Sequence, residues 1–146
     1  MNNVNVLPSE RFGVPLVSAG SITTGTVNTG WIASGRFDRL CAVITFGAVA
    51  GSNTTAVTLR RASDDIGTGA ELVATLFFAV PVAGEVHLVN YDVNREKGNP
   101  KRFLSIQVAG SEANAVGYSV LGLAFDTSFS PASLMNVAAV TATTVS

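Results

Sequence analysis

Residues 37–49 read Phe-Asp-Arg-Leu-Cys-Ala-Val-Ile-Thr-Phe-Gly-Ala-Val. In an extended chain Leu40, Ala42, Ile44 and Phe46 fall on one face, and Cys41, Val43 and Thr45 on the other. The period of two and the β-branched and aromatic side chains fit a pleated, buried surface rather than a helix. Both faces are largely apolar, so the stretch predicts a central strand covered on each side. Ile44 is then a core residue and Cys41 a buried, inert thiol.

On the N-terminal side, residues 1–13 mix Asn, Pro, Ser and Gly with the pair Glu10-Arg11 and read as an extended arm. A first short strand is expected over residues 14–18, a Gly/Ser/Thr-rich turn over 19–26, and a second strand over 27–33 around Trp31. On the C-terminal side, residues 54–62 alternate cleanly: Thr55, Val57, Leu59 and Arg61 against Ala56, Thr58 and Arg60. Leu59 joins Ile44 in the expected core. After the polar turn 63–69, residues 71–80 form a fifth strand with Leu72, Ala74, Leu76 and Phe78 on one face. The sixth, 85–93, aligns His87, Val89, Tyr91 and Val93. The seventh, 102–109, sets Phe103, Ser105 and Gln107 against Leu104, Ile106 and Val108; residues 115–125 are the eighth.

About eight short strands with turn signals between them predict an all-β antiparallel sandwich of jelly-roll type, with extended N- and C-terminal arms. The expected division is 1–13 arm, 14–126 sandwich and 127–146 arm. At 146 residues the chain is the size of one domain. Apolar residues make up 47% and charged ones 13%, where soluble domains carry about 25% charged residues. Something other than water is therefore expected over part of the surface. A spanning helix is not the answer, because no run approaches the ~18 apolar residues it needs. The net charge of −1 leaves no basic excess for phosphates, so a primary nucleic-acid role is excluded. The first residues hold neither a basic nor an apolar leader segment, from which assembly in a cytoplasm is expected.

The inventory for catalysis is thin. A nucleophile–histidine site needs His87, the only histidine, and its strand position reads as a packed or edge residue. Asp64 and Asp65 are the candidates for a cation, yet the spacing of oxygen ligands is wrong for a calcium loop, and a turn with solvated carboxylates is expected. Gly67-Thr68-Gly69 is followed by neither a lysine nor a helix, as a phosphate cradle requires. No catalytic residue, cofactor or metal is expected. Residues 95–102 form the densest charge cluster, with Arg95, Lys97, Lys101 and Arg102 around Glu96. They read either as a solvated loop tip or as a docking patch for an acidic protein surface. Trp31, Tyr91 and Tyr118 read as packing residues or as platforms for sugar rings. Residues 127–146 carry no charge, unlike a solvated tail. With Phe129, Leu134 and Met135 as anchors, this arm is expected to lie against another chain.

Several pieces of residues 18–125 resemble the capsid decoration, or cement, proteins of tailed bacteriophages. They are Gly20-Ser-Ile-Thr-Thr-Gly-Thr-Val-Asn-Thr-Gly-Trp-Ile32, then Phe37-Asp-Arg-Leu40 leading into Val43-Ile-Thr-Phe-Gly-Ala48, and Val57-Thr-Leu59. The turn Ser63-Asp-Asp65, the strand opening Lys101-Arg-Phe-Leu104, and Val120-Leu-Gly122 complete them. The resemblance implies a jelly-roll-like fold and self-association as a homodimer or homotrimer. It also implies attachment to the major capsid protein on the outside of the head, across capsomer junctions. Departures are the Arg60-Arg61-Ala62 strand ending and the long apolar C-terminal arm. A lectin-like or receptor-binding sandwich, or a head-completion or tail protein, is the alternative expectation.

Overall fold

The computed structural model describes residues 12–125. Most of the first arm and all of the second lie outside them, and so do Phe129, Leu134 and Met135. Nine strands follow one another: β1 (Phe12–Ile22), β2 (Gly25–Asn28), β3 (Ile32–Ala33), β4 (Arg39–Val49), β5 (Thr55–Ala62), β6 (Glu71–Ala79), β7 (Val86–Asp92), β8 (Phe103–Gly110) and β9 (Val116–Phe125). They form two sheets, one ordered β1-β9-β4-β7 and the other β2-β8-β5-β6, with the two-residue β3 also on β8. All pairings are antiparallel. With β3 counted as a continuation of β2, the two strand orders are those of a double Greek-key wrap. This is the jelly roll expected from the strand count.

The core lies between the sheets. Leu40, Ala42, Ile44 and Phe46 of β4 are buried, as are Tyr118, Val120 and Ala124 of β9, Val57 and Leu59 of β5, and Leu104, Ile106 and Val108 of β8. Each large apolar side chain sealed there contributes about 1.5–3 kcal/mol relative to exposure. Gly122 lets Leu16 of β1 in: a Cβ on Gly122 would stand 2.8 Å from Leu16 Cβ.

Four expectations need correction. β4 is central, between β9 and β7, but Cys41, Val43 and Thr45 are only half-buried, because the described chain supplies two layers and leaves that face outermost. Cys41 is accordingly not a sealed thiol. β1 runs on through residues 19–22, where a turn was expected, since Ala19, Gly20, Ser21 and Ile22 pair with Ser119, Tyr118, Gly117 and Val116. That ladder overrides weak local propensity. The expected second strand breaks after Asn28: Gly30 takes φ +95°, and Thr29 turns in to exchange bonds with Ile106.

In β6 the register slips twice against β5, leaving Leu76 and Val73 as extra residues. Each bulge reverses which face the following side chains occupy. Leu72, Ala74, Leu76 and Phe78 therefore do not share a face: Ala74, Leu76, Val73 and Phe77 pack on the core while Leu72 and Phe78 stand in solvent.

Candidate interaction surfaces

The strand ends at one pole of the sandwich gather most of the chain's scarce charge. Arg61, near the end of β5, donates from Nε to Glu71 Oε1 (2.5 Å) and from Nη1 to Glu96 Oε2 (2.9 Å). Glu96 closes a 3-10 turn over Val93–Glu96, which follows β7 and is capped by Asp92 Oδ1 accepting from Asn94 N at 3.0 Å. This placement buries the Glu96 carboxylate, which also accepts from the Tyr91 hydroxyl at 2.7 Å. A buried carboxylate demands such donors. Lys101 Nζ donates to Glu71 Oε2 (2.7 Å) and to Gly69 O (2.8 Å), and Lys97 pairs with Asp38. Hydrogen bonds from Lys101 and Arg61 hold the Glu71 carboxyl below its ordinary range. Bonds to Glu96 and Glu71 raise Arg61. Burial, reinforced by Glu96, pushes the Tyr91 phenol up to about 12.

The expected basic patch thus divides. Lys97 and Lys101 are committed to carboxylates within the chain, while Arg95 and Arg102 are exposed. Arg95 borders an open cleft of ≈ 710 Å³ that also touches Arg39, Cys41, Tyr91, Asp92 and Phe125. Arg102 borders a smaller recess, ≈ 240 Å³, beside Ser34 and Lys97. The loop is not wholly solvated, because Glu96 anchors it.

A second surface has the opposite character. β6 and β7 are the edge strands of the two sheets, on the same side of the sandwich, joined by a turn. Glu85 Oε2 accepts from Val82 N (3.1 Å) in that turn, and Gly84 adopts φ +86°. Six of the eight large apolar side chains exposed among the described residues lie here: Leu72, Phe78, Val80, Val82, Val86 and Leu88. Phe78 is 69% exposed and Leu88 68%. Register also aligns Leu88 with Val43, Leu121 and Val17 in one row across the outer face of the β4 sheet. The sequence could not locate this surface, because the β6 bulges hide which side chains emerge.

His87 occupies the edge strand as expected, its ring 4.7 Å from that of Phe77 and 6.0 Å from that of Phe46, with Nε2 3.4 Å from Glu85 Oε2. Asp64 closes its turn by accepting from Ile66 N (3.2 Å) and Thr68 N (2.8 Å); bonding to Thr68 is the chief cause of its lowered pKa. Among the described residues no three metal-ligating side chains converge. Tyr118 is buried and bonded to Ser18 (3.0 Å), Tyr91 is bonded to Glu96, and Trp31 is half-buried against Gly67. These three aromatics are packing residues. Among the described residues, Phe78 is the aromatic that stands exposed.

No family model matches the chain, and neither does any curated protein sequence. Among solved structures, the fold is similar to a chain of the T13 infectious bursal disease virus particle, with a TM-score of 0.50 and 13% identity over 86% of this chain. A chain from the Gx strain of the same virus gives 0.47 at 13% identity over 83%. This protein spans about a third of the viral chains' length, 35% and 34%. A subunit of the Bacillus endospore appendages aligns over 87% of this chain and all of its own, at 12% identity and a TM-score of 0.40. The fold is thus one that also occurs in a virus particle.

Proposed function

We propose that the protein is a non-enzymatic structural component of a virion, a decoration or cement protein on the outside of a tailed-phage head. In this reading it self-associates and bridges major capsid subunits. The observation that carries it is the apolar surface of β6 and the following turn, where Leu72, Phe78, Val80 and Val82 stand in solvent. Monomeric proteins seldom expose apolar patches beyond a few hundred Å² unless something covers them. The low charge of the whole chain points the same way. Arg95 and Arg102, with no carboxylate bonded to either in the charged pole described above, supply steering toward an acidic neighbour, and Phe129, Leu134 and Met135 of the arm supply further anchors. A sugar-binding sandwich would present a platform of aromatics, and Trp31, Tyr91 and Tyr118 are engaged elsewhere.

The test is co-sedimentation with heads assembled from the cognate major capsid protein, in low and in ~1 M salt, where the Debye length falls from ~10 Å to ~3 Å. The parent protein is expected to stay bound in both, because apolar burial is not screened. Phe78→Ser/Val82→Ser is expected to lose binding while remaining folded, and Arg95→Glu/Arg102→Glu to slow it modestly. Release of the parent at high salt refutes apolar attachment; binding that both double variants retain refutes the role of these surfaces.

A further inference from the structure

The β4 sheet ends, at the charged pole, in the cleft of ≈ 710 Å³. Register places Leu123, Cys41 and Asn90 in one row and Phe125, Arg39 and Asp92 in the next. Alternation along β4 puts both rows on the outer face of the sheet, opposite buried Leu40. Arg95, from the turn that follows β7, also borders the cleft. Its lining divides by chemistry. Cys41 and Phe125 are half-buried and apolar, whereas Arg39, Asn90, Asp92 and Arg95 are polar and exposed.

Among the described lining residues, two guanidinium groups stand against one carboxylate, a local cationic excess in a chain whose net charge is −1. Asp92 is already engaged, because its Oδ1 accepts from Asn94 N at 3.0 Å. Tyr91 adds no charge, since its hydroxyl donates to buried Glu96 (2.7 Å) and its phenol is pushed up to about 12. The wall that carries Arg95 is fixed on both sides. Val93 N donates to Asp38 O at 2.9 Å, and Glu96 accepts from Arg61 Nη1 at 2.9 Å. A site held in this way binds with less ordering cost. The volume lies within the range of ligand sites, about 300–1,000 Å³, yet such sites enclose roughly 70–90% of a small molecule. A cleft rimmed by exposed side chains does not enclose one. It suits a chain segment laid across it, with a carboxylate at the arginines, where a guanidinium bonds two oxygens at once.

We propose that this cleft docks an acidic segment of a partner protein: a glutamate or aspartate carboxylate pairs with Arg95, and a neighbouring apolar side chain lies on Cys41 and Phe125. Asn90, whose side-chain amide both donates and accepts, bonds the backbone of the segment. The inference rests on the proposed steering role of Arg95 for the nature of the partner, and it turns that role into a bounded site. Arg102 borders the other recess and takes no part.

Isothermal titration calorimetry on the full-length protein provides the test. The probes are end-blocked hexapeptides alternating glutamate with leucine or phenylalanine, their glutamine counterparts, and free phenylacetate. The glutamate peptides are expected to bind, and the glutamine peptides to bind at least about tenfold more weakly. Arg95→Gln is expected to lose at least about tenfold, while Arg102→Gln binds as the parent does. Cys41, the single cysteine, locates the peptide, because its alkylation by iodoacetamide is expected to slow once the cleft is filled. The proposal is overturned by glutamate peptides that do not bind, by glutamine peptides that bind equally, or by unchanged affinity in Arg95→Gln. An equal loss in Arg102→Gln, or unchanged Cys41 alkylation under saturating peptide, places the contact elsewhere and overturns the site. Phenylacetate binding as tightly as the peptides overturns the protein segment as the occupant. No heads are present in this assay, so its failure leaves the co-sedimentation result standing, and a failure to sediment with heads leaves peptide binding standing.

Discussion

Replacing Ile44 by alanine removes three carbons from a side chain with no exposed surface, in the middle of the central strand between Val120 of β9 and His87 of β7. At about 0.8 kcal/mol per buried carbon, the transfer loss alone is ~2.4 kcal/mol. Neighbours held in two ladders collapse poorly, so a cavity contribution adds to this and carries the expected cost to ~3–4 kcal/mol, inside the ~2–5 kcal/mol range for such changes. Val43→Ala, one residue away, is the internal control. Its side chain lies on the outer face and is half-buried, so the loss is expected to stay near ~1 kcal/mol. Urea unfolding reads both values. With a slope of roughly 1–3 kcal/mol/M, the Ile44→Ala midpoint falls by at least ~1 M while the slope is unchanged. A loss below ~1 kcal/mol for Ile44→Ala, or equal losses for the two variants, refutes the assignment of faces.

Glu96→Ala removes the acceptor shared by Arg61 and Tyr91 and is expected to cost ~1–3 kcal/mol in the same unfolding assay. In a Tyr118→Phe background, which leaves Tyr91 as the single tyrosine, phenolate absorbance is expected to titrate near about 12. Because that folded value lies above the ordinary ~10, the associated stability is complete below pH ~10 and is lost as pH rises through the folded value. Glu71 shifts the other way: its contribution is present above its ordinary value of 4.5 and disappears as pH falls below it, so Glu71→Gln is expected to flatten the acid limb of a stability–pH curve. Gly122→Ala forces a Cβ to within 2.8 Å of Leu16 Cβ and is expected to lower stability by ~1–3 kcal/mol, measured by thermal melting against the parent.

Where strands run without interruption, their faces are legible in the sequence. Residues 39–46 of β4 and 55–60 of β5 alternate, and Ile44 and Leu59, like Leu104, Ile106 and Val108 of β8, fall in the core as the sequence pattern requires. What was illegible has local physical causes. β1 continues through Ala19–Ile22 on the strength of its partner β9, which a one-dimensional pattern does not contain. Thr29 and Gly30 interrupt the second strand because the hydroxyl finds Ile106, 77 residues away. The burial of Glu96 is not legible in the 95–102 cluster because its donors, Arg61 and Tyr91, lie on other strands. The four basic residues were visible as a cluster, but their division into two paired and two exposed depends on Asp38 and Glu71 from elsewhere in the chain.

The β6 error is of another kind and bears on function. An apolar strand whose period is unbroken can bury all its large side chains on one face, and Leu72 and Phe78 would then have joined Leu59 and Phe46. Two bulges prevent this, and they expose an aromatic and a leucine in a chain otherwise able to bury its core. Bulges carry a cost in lost ladder bonds, and a sequence selected for solubility would place Lys or Thr at positions 72 and 78 once the phase had slipped. Retaining Leu and Phe there conflicts with a solvated edge and agrees with a covered one. Local rules broken without a compensating gain in the isolated fold are what the proposed covering by a partner would explain. In this chain the disrupted strand and the apolar surface are the same element.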